Sequence, residues 1–191
     1  MRWTLKPKPD PEIVTILASR LGVDIPVATL LAQRGITNFD EARKFFRPSL
    51  EDLHDPFLMK DMDLAVARIE KAIENVENIL VFGDYDVDGT TSVALLSSFL
   101  KSFYPNVATY IPDRYDEGYG VSYQGIDFAA DNDISLIIAL DCGIKAIDKV
   151  AYASEKNIDF IICDHHRPGA DSPGNRRRKR CRRSVPTANH L

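Results

Sequence analysis

Cysteine is scarce in this chain, with three residues in 191: Cys142, Cys163 and Cys181. A small, odd number argues against a disulfide framework and fits a reducing compartment. Long hydrophobic runs are missing too. No apolar stretch approaches the roughly 20 residues of a membrane span, and the N-terminus lacks the basic-then-apolar plan of a signal peptide. The expectation is a cytoplasmic chain with no membrane partner. Positive charge is short over most of the length. Residues 1–169 hold 17 basic against 27 acidic residues, a net of −10, while seven of the 24 Lys and Arg crowd into 170–191. An acidic body argues against unspecific grip on a polyanion and suits a site that gathers carboxylates around cations.

What is present reads as a globular protein, 45% hydrophobic and 27% charged, long enough for one good-sized domain and an appendage. Residues 1–60 form a helical N-terminal region. Glu12–Leu21, Val27–Gln33 and Asn38–Phe46 have helical apolar spacing, with Pro11 and Pro26 in first turns and Gly22 and Gly35 as stops. A connector, Arg47–Lys60, contains Pro48 and Pro56. Asp61–Val76 carries the i, i+3, i+4, i+7 stripe of an amphipathic helix. Strands Ile79–Phe82, Val107–Ile111, Leu136–Leu140 and Ile158–Cys163 then alternate with helices Thr90–Phe103, Ser122–Asn132 and Lys145–Lys156. Near-continuous apolar strands alternating with helices predict an α/β domain over 61–169, a parallel sheet with helices on both faces. After Gly169 the periodicity stops. The basic tail 170–191 reads either as a nucleic-acid arm or as a disordered or frameshifted end, and the second is the expectation because a βαβ fold should continue there.

Three of the apolar runs end in acid. Ile79–Phe82 runs into Gly83-Asp84-Tyr85-Asp86-Val87-Asp88-Gly89, Leu136–Leu140 into Asp141-Cys142-Gly143, and Phe160–Cys163 into Asp164-His165-His166. If these are neighbouring parallel strands, the acids and imidazoles meet at the carboxyl edge, where open α/β sheets bind ligands. Three alternating carboxylates in extended chain share one side and offer the oxygen ligands that Mg²⁺ and Mn²⁺ prefer. Helix capping is the plainer use of Asp and accounts for one of the three. Two consecutive His after a buried strand point to two jobs, one ring on a metal and the other on a phosphate oxygen. Several Asp and a His match a two-metal centre for in-line attack on phosphorus. Cys142 and Cys163 are either thiolate ligands or small buried side chains, with the second expected. In the loop Pro112–Gly120, Arg114 either clamps a phosphate or pairs with Asp116 or Glu117 to brace the loop, while Tyr115 or Tyr119 can stack on a base.

Together these motifs resemble the DHH family of phosphoesterases, whose name is the triplet Asp164-His165-His166, and within it the RecJ branch. Phe82–Gly89, Glu117-Gly118-Tyr119-Gly120 and Asp141-Cys142-Gly143-Ile144 resemble further motifs. Leu31–Ile36 and Leu53-His54-Asp55-Pro56 resemble the branch's N-terminal region, so that the likeness covers roughly 1–169. The resemblance implies two Mn²⁺ or Mg²⁺ ions held by Asp84, Asp86, Asp88, Asp141 and His165. It implies His166 on the scissile phosphate and Asp164 orienting a neighbour, to which the loop's own residues add Arg114 and Tyr119 as candidate substrate contacts. The implied reaction is 5′→3′ hydrolysis of single-stranded DNA to 5′-mononucleotides, in recombination and repair alongside other repair proteins. A further metal-binding Asp and the C-terminal domains of the family are not found in the sequence, so a truncated, weakly active or inactive piece is expected. The competing readings are a small-nucleotide phosphodiesterase or pyrophosphatase, and a non-catalytic DHH scaffold.

Overall fold

A computed structural model of the chain describes residues 4–168 and 187–188. It divides into two units, Met1–Asp55 and Pro56–Leu191. The first is helical: α1 (Pro11–Leu21), α2 (Ile25–Ala32) and α3 (Phe39–Phe46), closed by a short 3-10 turn at Leu50–Asp52. Its small core is Val14, Leu17, Ala28 and Leu31. The side chain of Asp10 caps α1, and Gly22, at φ +64°, ends it in the left-handed conformation that glycine adopts without strain.

The second unit is the α/β domain. It runs α4 (Met62–Glu74), β1 (Asn78–Gly83), α5 (Val87–Lys101), β2 (Val107–Tyr110), α6 (Tyr123–Asp131), β3 (Ile134–Leu140), α7 (Ile147–Glu155), β4 (Asp159–Cys163) and the two-residue β5 (Thr187–Ala188). The strands form one parallel sheet in the order β2-β1-β3-β4-β5. Strand alternation divides the core. Ile79, Val81, Leu136, Ile138 and Ile161 face Ala65, Ala72, Val93 and Leu100 of α4 and α5. Leu80, Phe82, Ile137, Ala139, Phe160 and Ile162 face Ile126, Ala129, Val150 and Ala153 of α6 and α7. The sheet is therefore covered on both faces, which is why its strands read as unbroken apolar runs.

After β1 the chain goes outward to β2, then crosses to the other side of β1 to make β3. The switch point of the sheet thus lies between β1 and β3, where ligands of such sheets sit. Register levels the strand ends, since Gly83 pairs with Leu140 and Leu140 with Cys163. The next residue on each strand is Asp84, Asp141 or Asp164, so three acids stand in one row. At the opposite edge Arg68 of α4 ties the strand starts together, with Nη2 2.7 Å from Glu77 and Nε 2.8 Å from Asp159. Ser135 donates a short hydrogen bond to the same Glu77 carboxylate.

The boundaries shift in two informative places. The helix expected from Thr90 begins at Val87, because the Asp86 side chain accepts from Gly89 N at 2.9 Å and caps α5 there. The helix expected to reach Val76 ends at Glu74, and Val76 itself adopts φ +55°. Apart from Thr187–Ala188, the basic tail lies outside the described residues. Among those residues no helix is long and apolar enough to cross a membrane.

Candidate metal centre

Asp84 follows β1 directly and is fully buried. One carboxylate oxygen accepts from Gly120 N at a long 3.4 Å; the other, Oδ2, is buried with no hydrogen-bond partner. A buried anionic oxygen left unmatched is costly unless a cation satisfies it. The turn that buries Asp84 depends on two glycines. A Cβ on Gly83 would stand 2.9 Å from the Gly89 carbonyl oxygen, and one on Gly89 would stand 2.7 Å from Asp84 N.

The other two acids of the first motif take separate positions. The extended geometry expected through Asp84, Asp86 and Asp88 does not persist, because α5 starts between them. Asp86 is the helix cap and Asp88 lies exposed in the first turn. Both remain close enough for their charges to be felt at Asp141, whose carboxyl sits above its ordinary range. Burial is the main cause, with Asp86 and Asp88 adding to it and His165 and His166 opposing it.

Asp141 adopts φ +60°, a left-handed conformation that Asp tolerates better than most residues. Its N–H still donates to Cys163 O at 2.8 Å. This kink reverses the strand's alternation. Ile137 and Ala139 face α6 and α7, yet Asp141 opens on the α4–α5 side and Cys142 falls into the α6–α7 core instead. There Asp141 Oδ1 lies 3.0 Å from His165 Nε2. One ligand atom each from Asp141, His165 and His166 falls within a 4.8 Å span.

β4 ends at Cys163, and beyond it the chain leaves the strand and bends at His166. Cys163 and His165 line a cavity of about 590 Å³ on the α4–α5 side, together with Met59, Met62, Asp88 and Asp141. His166 opens on the other side, into a cavity of about 310 Å³ with Tyr119, Lys145 and Lys149. Asp164 stands between them, 6% exposed. Its Oδ2 accepts from Ile144 N at 2.9 Å, and its Oδ1 accepts from His166 N at 2.9 Å and lies 2.7 Å from His166 Nδ1. A carboxylate only accepts, so the proton sits on His166 Nδ1 and leaves Nε2 facing outward. That hydrogen bond holds the His166 ring more basic than usual, against some loss from burial. The Tyr119 hydroxyl is 3.3 Å from Nε2. Its pKa is pushed up to about 12 by burial and by the charges of Asp84, Asp141 and Asp164, so it remains a neutral phenol.

Aromatic rings extend the edge. Tyr119 meets the His166 ring and the Tyr85 ring edge-on at 6.1 and 6.3 Å, and the Arg114 guanidinium lies 5.3 Å from the Tyr85 centroid. Arg114 lines neither cavity and does not brace its loop. Bracing falls to Glu117, which accepts from Tyr110 OH at 2.9 Å, Asp113 N at 2.8 Å and Ser122 OH at 2.5 Å. The two cysteines follow the plainer expectation. Burial pushes the Cys142 thiol far up and the Cys163 thiol up to about 11, and neither belongs to the ligand cluster found among the described residues. Lys145, Lys149, Met59 and Met62 were not singled out from the sequence. Only the second motif's Gly-Ile-Lys continuation could have flagged Lys145.

Residues 78–188 match the sequence profile of the DHH family, N-terminal domain, a match that runs beyond residue 169. The chain is 40% identical over 173 residues to the single-stranded-DNA-specific exonuclease RecJ of Bacillus subtilis, covering 91% of this chain and 22% of that protein. It is 34% identical over 145 residues to the RecJ of Dickeya dadantii, 75% of this chain and 24% of that one. The chain thus spans under a quarter of the length of these curated relatives. Its structure resembles a crystal structure of exonuclease RecJ bound to manganese, with a TM-score of 0.61 and 28% identity over 72% of this chain and 33% of that one. It shares its fold with RecJ of Thermus thermophilus in complex with Mn²⁺, at a TM-score of 0.64 and 24% identity, covering 95% of this chain and 24% of that one.

Proposed function

The chain belongs to the DHH family, and on that premise we propose that it supplies the metal-binding edge of a RecJ-like exonuclease. Its substrate is single-stranded DNA, hydrolysed 5′→3′ to 5′-mononucleotides in recombination and repair in the cytoplasm. The observation that carries this reading is the row of acids at the strand ends, with an unmatched buried oxygen on Asp84 beside the Asp141, His165 and His166 cluster. Carboxylates and imidazole form a donor set suited to Mn²⁺ or Mg²⁺. Asp84, Asp86, Asp88, Asp141 and His165 are the residues that would hold two such ions. Bound there, the metals supply an acidified water and neutralise charge on the phosphate.

The remaining groups position the strand. Asp164 fixes the His166 tautomer and aims Nε2 at a phosphate oxygen, where the ring donates once protonated. Tyr119 holds that nitrogen from the other side with a hydroxyl that keeps its proton. Tyr85 and Tyr119 offer ring faces and edges to bases, and Arg114 over Tyr85 adds positive charge beside them. Asp141 is turned into the site by its left-handed backbone.

Calorimetric titration of the purified chain with Mn²⁺ tests the metal reading. Binding is expected, and Asp84→Asn is expected to weaken it by about 10-fold or more. Incubation of the same sample with single-stranded DNA and with a dinucleotide tests the substrate, with 5′-mononucleotides expected from the former. Absence of Mn²⁺ binding, or turnover of the dinucleotide alone, would refute the proposal.

A further inference from the structure

We propose that the smaller cavity beside His166 is a phosphate subsite, one that takes the nucleotide phosphate next to the bond being hydrolysed. This rests on the reading of the site as a phosphodiesterase centre and adds a binding site to it. The cavity, about 310 Å³, lies on the α6–α7 side of the sheet edge and shares Asp164 with the larger one. Its polar lining is Tyr119, Lys145, Asp148, Lys149, Asp164 and His166.

Charge makes the case. The body of the chain is acidic, and the first cavity is lined by Asp88, Asp141 and Asp164 with His165 as its basic group. The second brings two lysines to the same edge. Its two carboxylates are already engaged: Asp164 takes Ile144 N and the His166 ring and backbone, and Asp148 accepts from Tyr123 OH at 3.1 Å. The lysines are not. Among the described residues no hydrogen bond or salt bridge engages the Lys145 ammonium, and the Lys149 ammonium lies 5.9 Å from the Tyr123 ring centroid with its charge felt at Asp148. Uncommitted ammonium donors, a phenol hydroxyl and an imidazole nitrogen are the groups that bind a phosphate oxygen. The volume accommodates a phosphate with its sugar rather than a longer segment.

The backbone sets this arrangement. The His165 and His166 rings line different cavities although their centroids are only 4.9 Å apart, and Gly143, at φ +102°, turns the chain toward Lys145, which lines the same cavity as His166. A strand crossing the edge with its scissile phosphate beside the His165 and His166 rings would then bring a neighbouring phosphate to Lys145 and Lys149. The same chemistry fits the phosphate of a released mononucleotide, and the two sources separate by experiment.

The test compares the 191-residue chain with the double variant Lys145→Ala/Lys149→Ala, using fluorescence anisotropy with a short labelled oligothymidylate, in EDTA and over a salt series. The variant is expected to bind about tenfold more weakly, and its plot of log affinity against log salt to be shallower by about 1.4, or 0.7 per lost contact on a single strand. Lys145→Arg/Lys149→Arg should restore most of both. Thymidine 5′-monophosphate competing as well as the oligonucleotide per phosphate would overturn the strand assignment in favour of the product. Equal affinity and salt slope in the alanine variant, or no oligonucleotide binding by the unaltered chain, would overturn the subsite itself. Mn²⁺ titration of both proteins keeps the two ideas apart. Loss of the lysine effect with normal Mn²⁺ binding removes the subsite alone, whereas a lysine effect without Mn²⁺ binding upholds the subsite and removes the metal reading.

Discussion

Replacing Gly89 by alanine should destabilise this protein, although the residue lies inside a helix. Helix propensity alone argues for a gain of about 0.8–1.0 kcal/mol in that exchange. The surroundings reverse the sign. The new Cβ would lie 2.7 Å from Asp84 N and 2.8 Å from Asp84 C, and closer still to the Asp84 carbonyl oxygen. All three are backbone atoms of the turn that levels Asp84 with the other strand-end acids, so no rotamer change relieves the clash. Overpacking against backbone that cannot yield lies at the upper end of the usual range, roughly 2–3 kcal/mol, which exceeds the propensity gain and leaves a net loss of about 1–2 kcal/mol. For a chain of this size that corresponds to a fall in Tm of roughly 2–8 °C. Urea denaturation at unchanged m-value measures it, with Ser98→Ala as the control. Ser98 is exposed in the same helix, so its alanine variant should gain a few tenths of a kcal/mol on propensity alone. The clash should also move Asp84, so Mn²⁺ affinity should fall along with stability. A Gly89→Ala protein as stable as the unaltered chain, with full Mn²⁺ affinity, would refute the argument that this contact positions Asp84.

Asp141→Asn keeps the shape and the tolerance for φ +60° while removing the charge. It should hold the midpoint within about 1 kcal/mol and weaken Mn²⁺ binding by tenfold or more, as calorimetry would show; intact binding would take Asp141 out of the ligand set. Arg68→Met should cost about 2 kcal/mol in urea, less than a fully buried pair because Glu77 and Asp159 are 20% and 29% exposed. Part of that cost depends on pH. Burial raises the Glu77 pKa, but the Ser135 hydroxyl and Arg68 outweigh it and hold the carboxyl below its ordinary 4.5. A depressed folded-state value contributes stability that is complete above the ordinary carboxylate range and is lost as pH falls through that lower value. The gap between Arg68→Met and the unaltered chain should therefore narrow in acid, and a gap independent of pH would contradict the ion-pair account.

The sheet was legible because burial on both faces leaves a simple trace. β1, β3 and β4 are apolar in nearly every position, and each run ends where its acid begins. Their order was open from the sequence, since pairing is non-local and only the register shows Gly83, Leu140 and Cys163 at one level. The acids could be named as candidates, but their division of labour could not. Asp86 spends an oxygen on the helix cap, and that hydrogen bond also starts α5 three residues earlier than apolar spacing indicates. Asp141 opens toward His165 through a backbone conformation that the triplet Asp-Cys-Gly does not announce. Arg114 had two plausible partners in its own loop and took neither, because Tyr85, distant in sequence, offered a ring face. Lys145 looked like an ordinary surface lysine until the fold placed it in one cavity with His166.

The pairing of β4 with β3, which levels Cys163 with Leu140, also fixes how this segment can change. A substitution at either ring removes one task and leaves the other in place. Insertion or deletion of a single residue between Phe160 and Cys163 would instead shift the register of β4, turn its apolar faces over and move both rings off the level of Asp84 and Asp141 together. The stretch should therefore be strict about length and comparatively lenient about spelling. A one-residue deletion scan would register that contrast without reference to any single side chain.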